Sequence, residues 1–273
     1  MLGDDAWWES HWETAPDEIC HFLASDGIQV AGASIADFGC GDGIMAGALA
    51  CRLGASVVGF DLYATDALAL HTEAKARGHD LSASPLEFRT IVPGALDARD
   101  GEFDIGLSWS AMEHVFDRVG YMREARRVIK PYGHLFVQVW PMWHSEHGHH
   151  LWQWLQPFDH LRYSRDEIVE KLRTLDRLPT PLEIGGGTAD TLGEYLGALG
   201  MEHDTWFSQT VASYDSCNRI TIDEIQTLLL EHGFSIGRVE FMTGQIHVPE
   251  DLQSIPLSRL SPNGFKLTAW RKP

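Results

Sequence analysis

The chain has 273 residues, 44% of them apolar, and a formal net charge of -18 from 39 acidic and 21 basic residues. That is enough to bury a sizeable core, in one domain with insertions or in two small ones. Phosphate backbones demand clustered Lys and Arg, so the charge balance speaks against nucleic acid and against an anionic membrane surface, and for a small-molecule partner. The four cysteines, Cys20, Cys40, Cys51 and Cys217, form no C-x-x-C pair, which removes the usual zinc-knuckle and redox motifs. The opening MLGDDAWWESHW is acidic and lacks the apolar stretch of a signal peptide. No run approaches the roughly 20 apolar residues of a membrane span, so a cytoplasmic protein is expected.

Trp7, Trp8 and Trp12 crowd the first residues, and a helix is expected from about Thr14, with Pro16 and Asp17 in its first turn. Ile35–Phe38 reads as a buried strand running into a glycine loop, Gly39–Gly43. An Ala-rich helix follows over 44–53, closed by Gly54. Val57–Phe60 is a second strand ending at Asp61. Helical sequence runs from about 64 to 77, and residues 86–92 suit a third strand. Phe103–Trp109 is a fourth. A helix over 118–129 carries Val119, Met122, Ala125 and Ile129 at near-helical spacing, broken by Lys130–Gly133 before a fifth strand, His134–Trp140. Strands alternating with helices in this way predict an α/β chain: a doubly wound, Rossmann-like, seven-stranded and mostly parallel sheet.

The pattern changes over residues 141–218, which are rich in His, Trp and Gly and hold no obvious parallel strand. Ser164 and Glu167 form a capping box for a helix lined by Ile168, Leu172 and Leu175, and a second helix is expected over 189–199. Gly185–Gly187 reads as a flexible turn. A further capping box, Thr221 and Glu224, opens a closing helix, and Phe234–Met242 and Phe265–Trp270 supply an antiparallel closing hairpin. The organisation expected is a ligand-binding half over 1–140, a substrate-covering insertion over 141–218, and closing elements of the same domain over 219–273.

The stretch Ala36-Asp37-Phe38-Gly39-Cys40-Gly41-Asp42-Gly43 is the most informative. Its glycines allow a sharp turn into a helix and a close backbone approach to a ligand. A dinucleotide fingerprint would want glycine where Ile44 stands, and pyrophosphate would not welcome Asp37 and Asp42. A ligand with positive charge and no phosphate suits the loop better. DFGCGDG resembles the first motif of class I S-adenosylmethionine (SAM)-dependent methyltransferases. Val57–Asp61 resembles their second strand, Phe103–Ser108 with Ala111–Val115 their fourth, and Val128–Leu135 their turn into strand five. The resemblance covers residues 34–140, and 221–271 more weakly. It implies SAM as cofactor, S-adenosylhomocysteine (SAH) as product, and cofactor contacts at Asp37, Gly39, Cys40, Gly41, Asp42, Asp61, Leu62, Ser108 and Trp109. In this family a carboxylate in the place of Asp61 takes the ribose hydroxyls. At the adenine the chain departs from the family pattern: Ala95 or Leu96 falls where many relatives carry an acidic residue, and Asp97 comes one or two positions late.

Methyl transfer to a hydroxyl gains from a general base, and histidine suits neutral pH. His114 follows strand four, at the sheet edge where such folds bind ligands, and His144 and His147 lie just after strand five. The alternative for His114 is packing at a helix start. Glu113 can touch the substrate or a divalent cation. The segment from Trp143 to Trp152 has four histidines and one glutamate, which fits a metal, a polyol or a base, or simply a polar loop; no metal is expected. GHHLWQWLQPFDHLRYS loosely resembles a stretch of bacterial methyltransferases associated with glycans, which implies a sugar-like acceptor. The tryptophans at 7, 8 and 12 read either as a lid or as an anchor for the N-terminal helix. The function expected is O-methylation of a sugar-like or other polar metabolite. The alternatives are a SAM-binding regulator without catalysis and N-methylation of a small molecule or protein. A homodimer through the insertion is compatible with all of these.

Overall fold

In the computed structural model, which describes residues 2–273, the chain divides into two compact units. The first is assembled from 1–138, 222–240 and 266–273, the second from 139–221 and 241–265. Among the described residues no helix is long and apolar enough to cross a membrane.

The N-terminal segment is helical earlier than Thr14. Helix α1 (Asp5–Glu9) starts on the Asp4 cap and passes through a π-helical turn, Ser10–Thr14, into α2 (Ala15–Ser25). The physical reason lies in the tryptophans. Trp8 and Trp12 stack on one another at 4.9 Å and bury themselves with Ile44, Ala48, Leu70 and Leu81. Burying such a ring is worth on the order of 2–3 kcal/mol, enough to outweigh the weak helix preference of the segment.

Strands β1 (Ser34–Phe38), β2 (Ser56–Asp61), β3 (Leu86–Thr90), β4 (Phe103–Trp109) and β5 (Ile129–Val139) alternate with α3 (Ile44–Leu53), α4 (Ala67–Ala76) and α5 (Arg118–Val128). Together with β8 (Phe234–Thr243) and β9 (Pro262–Arg271) they form a seven-stranded sheet in the order β3-β2-β1-β4-β5-β9-β8. It is mostly parallel with one antiparallel pair, the fold class expected. β1 pairs with β2 on one side and β4 on the other, both parallel. The strand order reverses at this point, so a crevice opens beyond the carboxyl ends of β1 and β4, where open α/β sheets bind ligands. Ile35, Ala36 and Phe38 bury on both faces of the sheet, and Ile19, Leu23, Leu49, Leu107 and Phe136 fill one side.

Lys130–Gly133 does not end the helix before a later strand, as its composition suggested. β5 already pairs at Phe103 with Ile129, then resumes at Ile105 with His134, so the four residues bulge out of the ladder. Tyr132 takes a left-handed φ of 65° at the bulge, and a Cβ on Gly133 would sit 2.8 Å from the Asp104 carbonyl oxygen. Only glycine fits there.

The second unit holds an antiparallel hairpin, β6 (Arg177–Ile184) and β7 (Gly187–Thr191), which the sequence pattern did not reveal. Gly185 and Gly186 turn it, both at positive φ. Around it lie α6 (Asp159–Arg162), α7 (Arg165–Arg173), α8 (Leu192–Leu199) and α9 (His203–Ser216). The Ser164–Glu167 capping box is present, and Thr191 with Glu194 makes another, starting α8 at 192 rather than 189. Trp143, Trp154, Ile168, Leu172, Trp206 and Tyr214 form this unit's own core. The closing helix α10 (Ile222–Glu231) returns to the first unit. A short helix, α11 (Leu257–Leu260), precedes β9.

Candidate functional site

The glycine loop leaves β1 beside β2. The N–H groups of Gly39 and Cys40 both donate to the Phe60 carbonyl, at 2.8 and 3.2 Å, which seats the start of the loop on the neighbouring strand. Two glycines are demanded by space as well as by conformation. A Cβ on Gly39 (φ +82°) would lie 2.7 Å from the Ala111 Cβ, and one on Gly43 (φ +79°) would lie 2.6 Å from the Phe88 ring. From Gly43 the chain enters α3 with its first backbone N–H groups at the loop.

Three carboxylates frame this loop, and their surroundings differ. Asp61, at the end of β2, accepts from the Gly41 N–H at 2.9 Å and from the Tyr63 N–H at 3.1 Å. Asp42 accepts from the Ile44 N–H at 3.3 Å and from the Trp7 indole N–H at 2.8 Å. Asp37 is 1% exposed, and neither of its oxygens has a hydrogen-bond partner among the described residues. Burial pushes its pKa up to about 7, and the Asp61 charge adds to the rise. An orphaned buried carboxylate costs several kcal/mol unless something cationic or donating meets it.

Two of the groups near Asp37, Cys40 and Tyr121, are held neutral. Burial, and then Asp37 itself, hold the Cys40 thiol above its ordinary range. The Cys40 sulfur lies 3.6 Å from the Thr65 hydroxyl, which donates to the Gly41 carbonyl at 2.9 Å. Ser108 is fully buried at the end of β4. Tyr121 of α5 was not singled out in the sequence, because its position reads as one more core aromatic. Burial raises its phenol, with Asp37 and Glu113 adding and Ser108 opposing. Ser110 follows β4 at a left-handed φ of 46°, held by its N–H and hydroxyl on the Gln138 side-chain oxygen, both at 2.8 Å. Strain of this kind in a non-glycine residue gathers at working edges.

The remaining expected cofactor residues fall as follows. Leu62 is half exposed after β2. Trp109 is half-buried, stacks with Phe136 at 6.3 Å and packs against the sheet core. Ala95 is exposed. Leu96 donates its N–H to Glu124 at 3.0 Å and gives its carbonyl to Arg127 at 2.9 Å, so its backbone is spent on α5. Arg89 clamps the Asp97 carbonyl from β3. These side-chain-to-backbone clamps were invisible in the sequence, since each joins residues about 8 to 31 positions apart.

The three histidines nominated for catalysis do not belong to one unit. His114 is exposed on the short 3₁₀ turn Met112–His114 of the first unit, next to the buried Glu113. His144 and His147 are half-buried in the second, with His147 Nε2 3.9 Å from Glu146. His149 and, further along, His160 are tied to the main chain. His149 is fully buried and accepts the Leu151 N–H on Nδ1 at 2.8 Å, so a neutral ring carries its proton on Nε2 and offers no lone pair to a metal. Desolvation, then His160 and its neighbours, push its pKa down to about 2. His160 donates from Nε2 to the Trp143 carbonyl at 2.5 Å, and burial lowers it to about 4. His150 Nδ1 lies 2.9 Å from the Cys217 sulfur.

Residues 36–137 match a family model described as a methyltransferase domain. The chain is 35% identical over 139 residues to a ubiquinone biosynthesis O-methyltransferase of Ralstonia nicotianae and 36% identical over 140 residues to one of Albidiferax ferrireducens. These matches cover 49% of this chain and 56% and 53% of the two relatives, so the chain spans little more than half the length of the curated proteins it matches. Among solved structures it resembles a SAM-dependent methyltransferase from Methanosarcina mazei (TM-score 0.52, 18% identity, 92% of this chain and 97% of the other). It also resembles a magnesium protoporphyrin IX methyltransferase from Synechocystis with bound SAH (TM-score 0.51, 15% identity, 95% and 82%). At such identities the likeness is one of fold.

Proposed function

We propose that the chain, whose residues 36–137 match a methyltransferase-domain family model, is a class I SAM-dependent methyltransferase that transfers the methyl group of SAM to a hydroxyl oxygen of a small polar acceptor. The observation that carries the reading is Asp37. A carboxylate buried with both oxygens unpartnered, beneath a glycine loop, fits a ligand bearing an ammonium and a sulfonium, and does not fit a pyrophosphate. Asp61 fits the rest: it is partly exposed at the end of β2, and a carboxylate can accept both hydroxyls of a ribose.

Held there by the glycine loop, Asp37 and Asp61, SAM would supply an electrophilic methyl group for the acceptor oxygen, with SAH as the leaving product. The chain's own part is mostly positioning, which can supply several kcal/mol of the barrier. The Gly39–Gly43 backbone gives close approach, Asp37 holds the cationic end and Asp61 the sugar. Cys40 and Tyr121 stay neutral and keep the floor of the site free of competing charge. His114, exposed after β4 in the same unit, takes the proton the acceptor oxygen loses. O-direction is supported by the names of the curated relatives, and a sugar-like acceptor by the GHHLWQWLQPFDHLRYS segment.

Calorimetric titration of the full chain with SAM, SAH and NAD tests the donor. Micromolar binding of both adenosyl ligands, lost in Asp61→Ala, is the expected result; binding of NAD alone would overturn the reading. SAH release on incubation with SAM and a panel of polyols and phenols then tests the acceptor.

A further inference from the structure

The N-terminal helix is bolted to the first unit from one side. Trp8 and Trp12 are buried, and Arg77 reaches Asp5 at 2.7 Å while lying over the Trp8 ring. Arg52 of α3 donates to the Trp12 carbonyl at 2.6 Å and pairs with Glu13 and Asp17. A segment held by two buried indoles and three ion pairs is not built to swing as a lid. Trp7 belongs to the same helix but is spent differently. It keeps 38% of its surface exposed, its indole N–H donates to Asp42 Oδ2 at 2.8 Å, and its ring stacks on His11 at 3.9 Å. His11 in turn donates from Nδ1 to the Trp7 carbonyl at 2.9 Å, which fixes the stack.

Asp42 is therefore engaged on both oxygens: one is tied to the first turn of α3, the other to residue 7. The sequence placed Asp42 among the residues that touch the cofactor. The geometry gives it a second task, as the hinge pin between the glycine loop and the N-terminal helix. We propose that Trp7 is a positioning residue of the donor site, a fixed wall that holds the glycine loop in its binding conformation through Asp42. This rests on the methyltransferase reading for the identity of the ligand, but not for the wall itself. A loop already held in shape does not spend binding energy on ordering itself, so the wall raises affinity for any ligand the loop grips.

The test is a double-mutant cycle on the full chain, Trp7→Phe, Asp42→Ala and both together, read by SAH titration and by amide hydrogen exchange at residues 41–44 without ligand. Phenylalanine keeps an aromatic ring to stack on His11 and loses the N–H together with part of the indole surface. Trp7→Phe is expected to weaken SAH about 5-fold, close to 1 kcal/mol, and to speed exchange in the loop. The double variant should be no weaker than Asp42→Ala alone, and Asp42→Asn, which still accepts the indole N–H, should keep most of the affinity. Equal affinity and equal exchange in Trp7→Phe, or strictly additive losses in the cycle, would overturn the proposal. Failure of the wild-type chain to bind SAH would sink the donor reading, and faster exchange in Trp7→Phe would still support the wall.

Discussion

The two units bury polar groups in opposite ways. In the first, the end of β1 buries Asp37 with no partner for either oxygen, and its pKa rises to about 7. In the second, His149 and His160 are buried just as deeply, yet each has a backbone partner, to the Leu151 N–H and the Trp143 carbonyl, and burial drives their pKa values down. The chemistry of the buried group predicts what each place is for. A buried carboxylate with no donor on either oxygen is left open to a cationic or donating group. A neutral imidazole anchored to the main chain through one nitrogen serves the fold, even with its other nitrogen (His149 Nε2, His160 Nδ1) unpartnered among the described residues, because it carries no charge. A segment dense in histidine is thus a weaker sign of catalysis than one lonely aspartate.

The comparison can be broken most directly at the first unit. Asp61→Ala is expected to weaken SAH at least 100-fold, roughly 3 kcal/mol, in calorimetric titration with little change in melting temperature. Next comes Asp37. Its folded pKa lies above the unfolded value near 3.8, so the stability it lends is complete below that value and is lost as pH rises to about 7. Ligand-free Asp37→Asn should therefore be more stable than the wild type at pH 8, by about 2 kcal/mol in denaturant titration, while binding SAH more weakly. A variant less stable at pH 8 would mean that the carboxylate has found a partner within the chain.

The second unit should respond to pH in the reverse sense. His149 and His160 titrate far below the unfolded value near 6.5, so their stability is present above that value and is lost as pH falls toward about 4. At pH 5.5 each should cost about 1 kcal/mol. His149→Asn keeps an acceptor for the Leu151 N–H and should flatten the fall of melting temperature between pH 7 and 5. The smallest effect sharpens the contrast: His114→Ala, His144→Ala and His147→Ala should each leave the SAH dissociation constant within about 2-fold. His114→Ala, which removes the proposed base, should lose turnover instead.

What could be read from the sequence follows from the range of the forces involved. β1, α3, β2 and β4 were legible because their signals are local: a buried apolar run, a glycine where the chain must turn, an Ala-rich helix closed by Gly54. The cradle was legible for the same reason, since Asp37, Gly39 and Asp61 sit at strand ends. The β6–β7 hairpin escaped because its burial alternates poorly, with Leu178 and Ala189 as its buried residues. Helix α9 escaped because its buried face, Trp206, Thr210 and Tyr214, has a polar residue at its centre, while the apolar Phe207 and Val211 lie off it. Long-range bonds, such as Trp7 to Asp42 and Arg127 to Leu96, leave no periodic trace at all.

The first unit is threaded through the chain in three pieces, and β9 lies between β5 and β8 in its sheet. A growing chain makes β5 by residue 139 but cannot cover that edge until residue 262 arrives. Meanwhile an apolar strand rich in Leu135, Phe136, Val137 and Val139 stands with an open ladder. Open edges recruit other chains. The long detour between the two strands thus makes the newborn protein more prone to aggregation than the finished one, and truncation before the last strand should send it to inclusion bodies rather than to a smaller soluble enzyme.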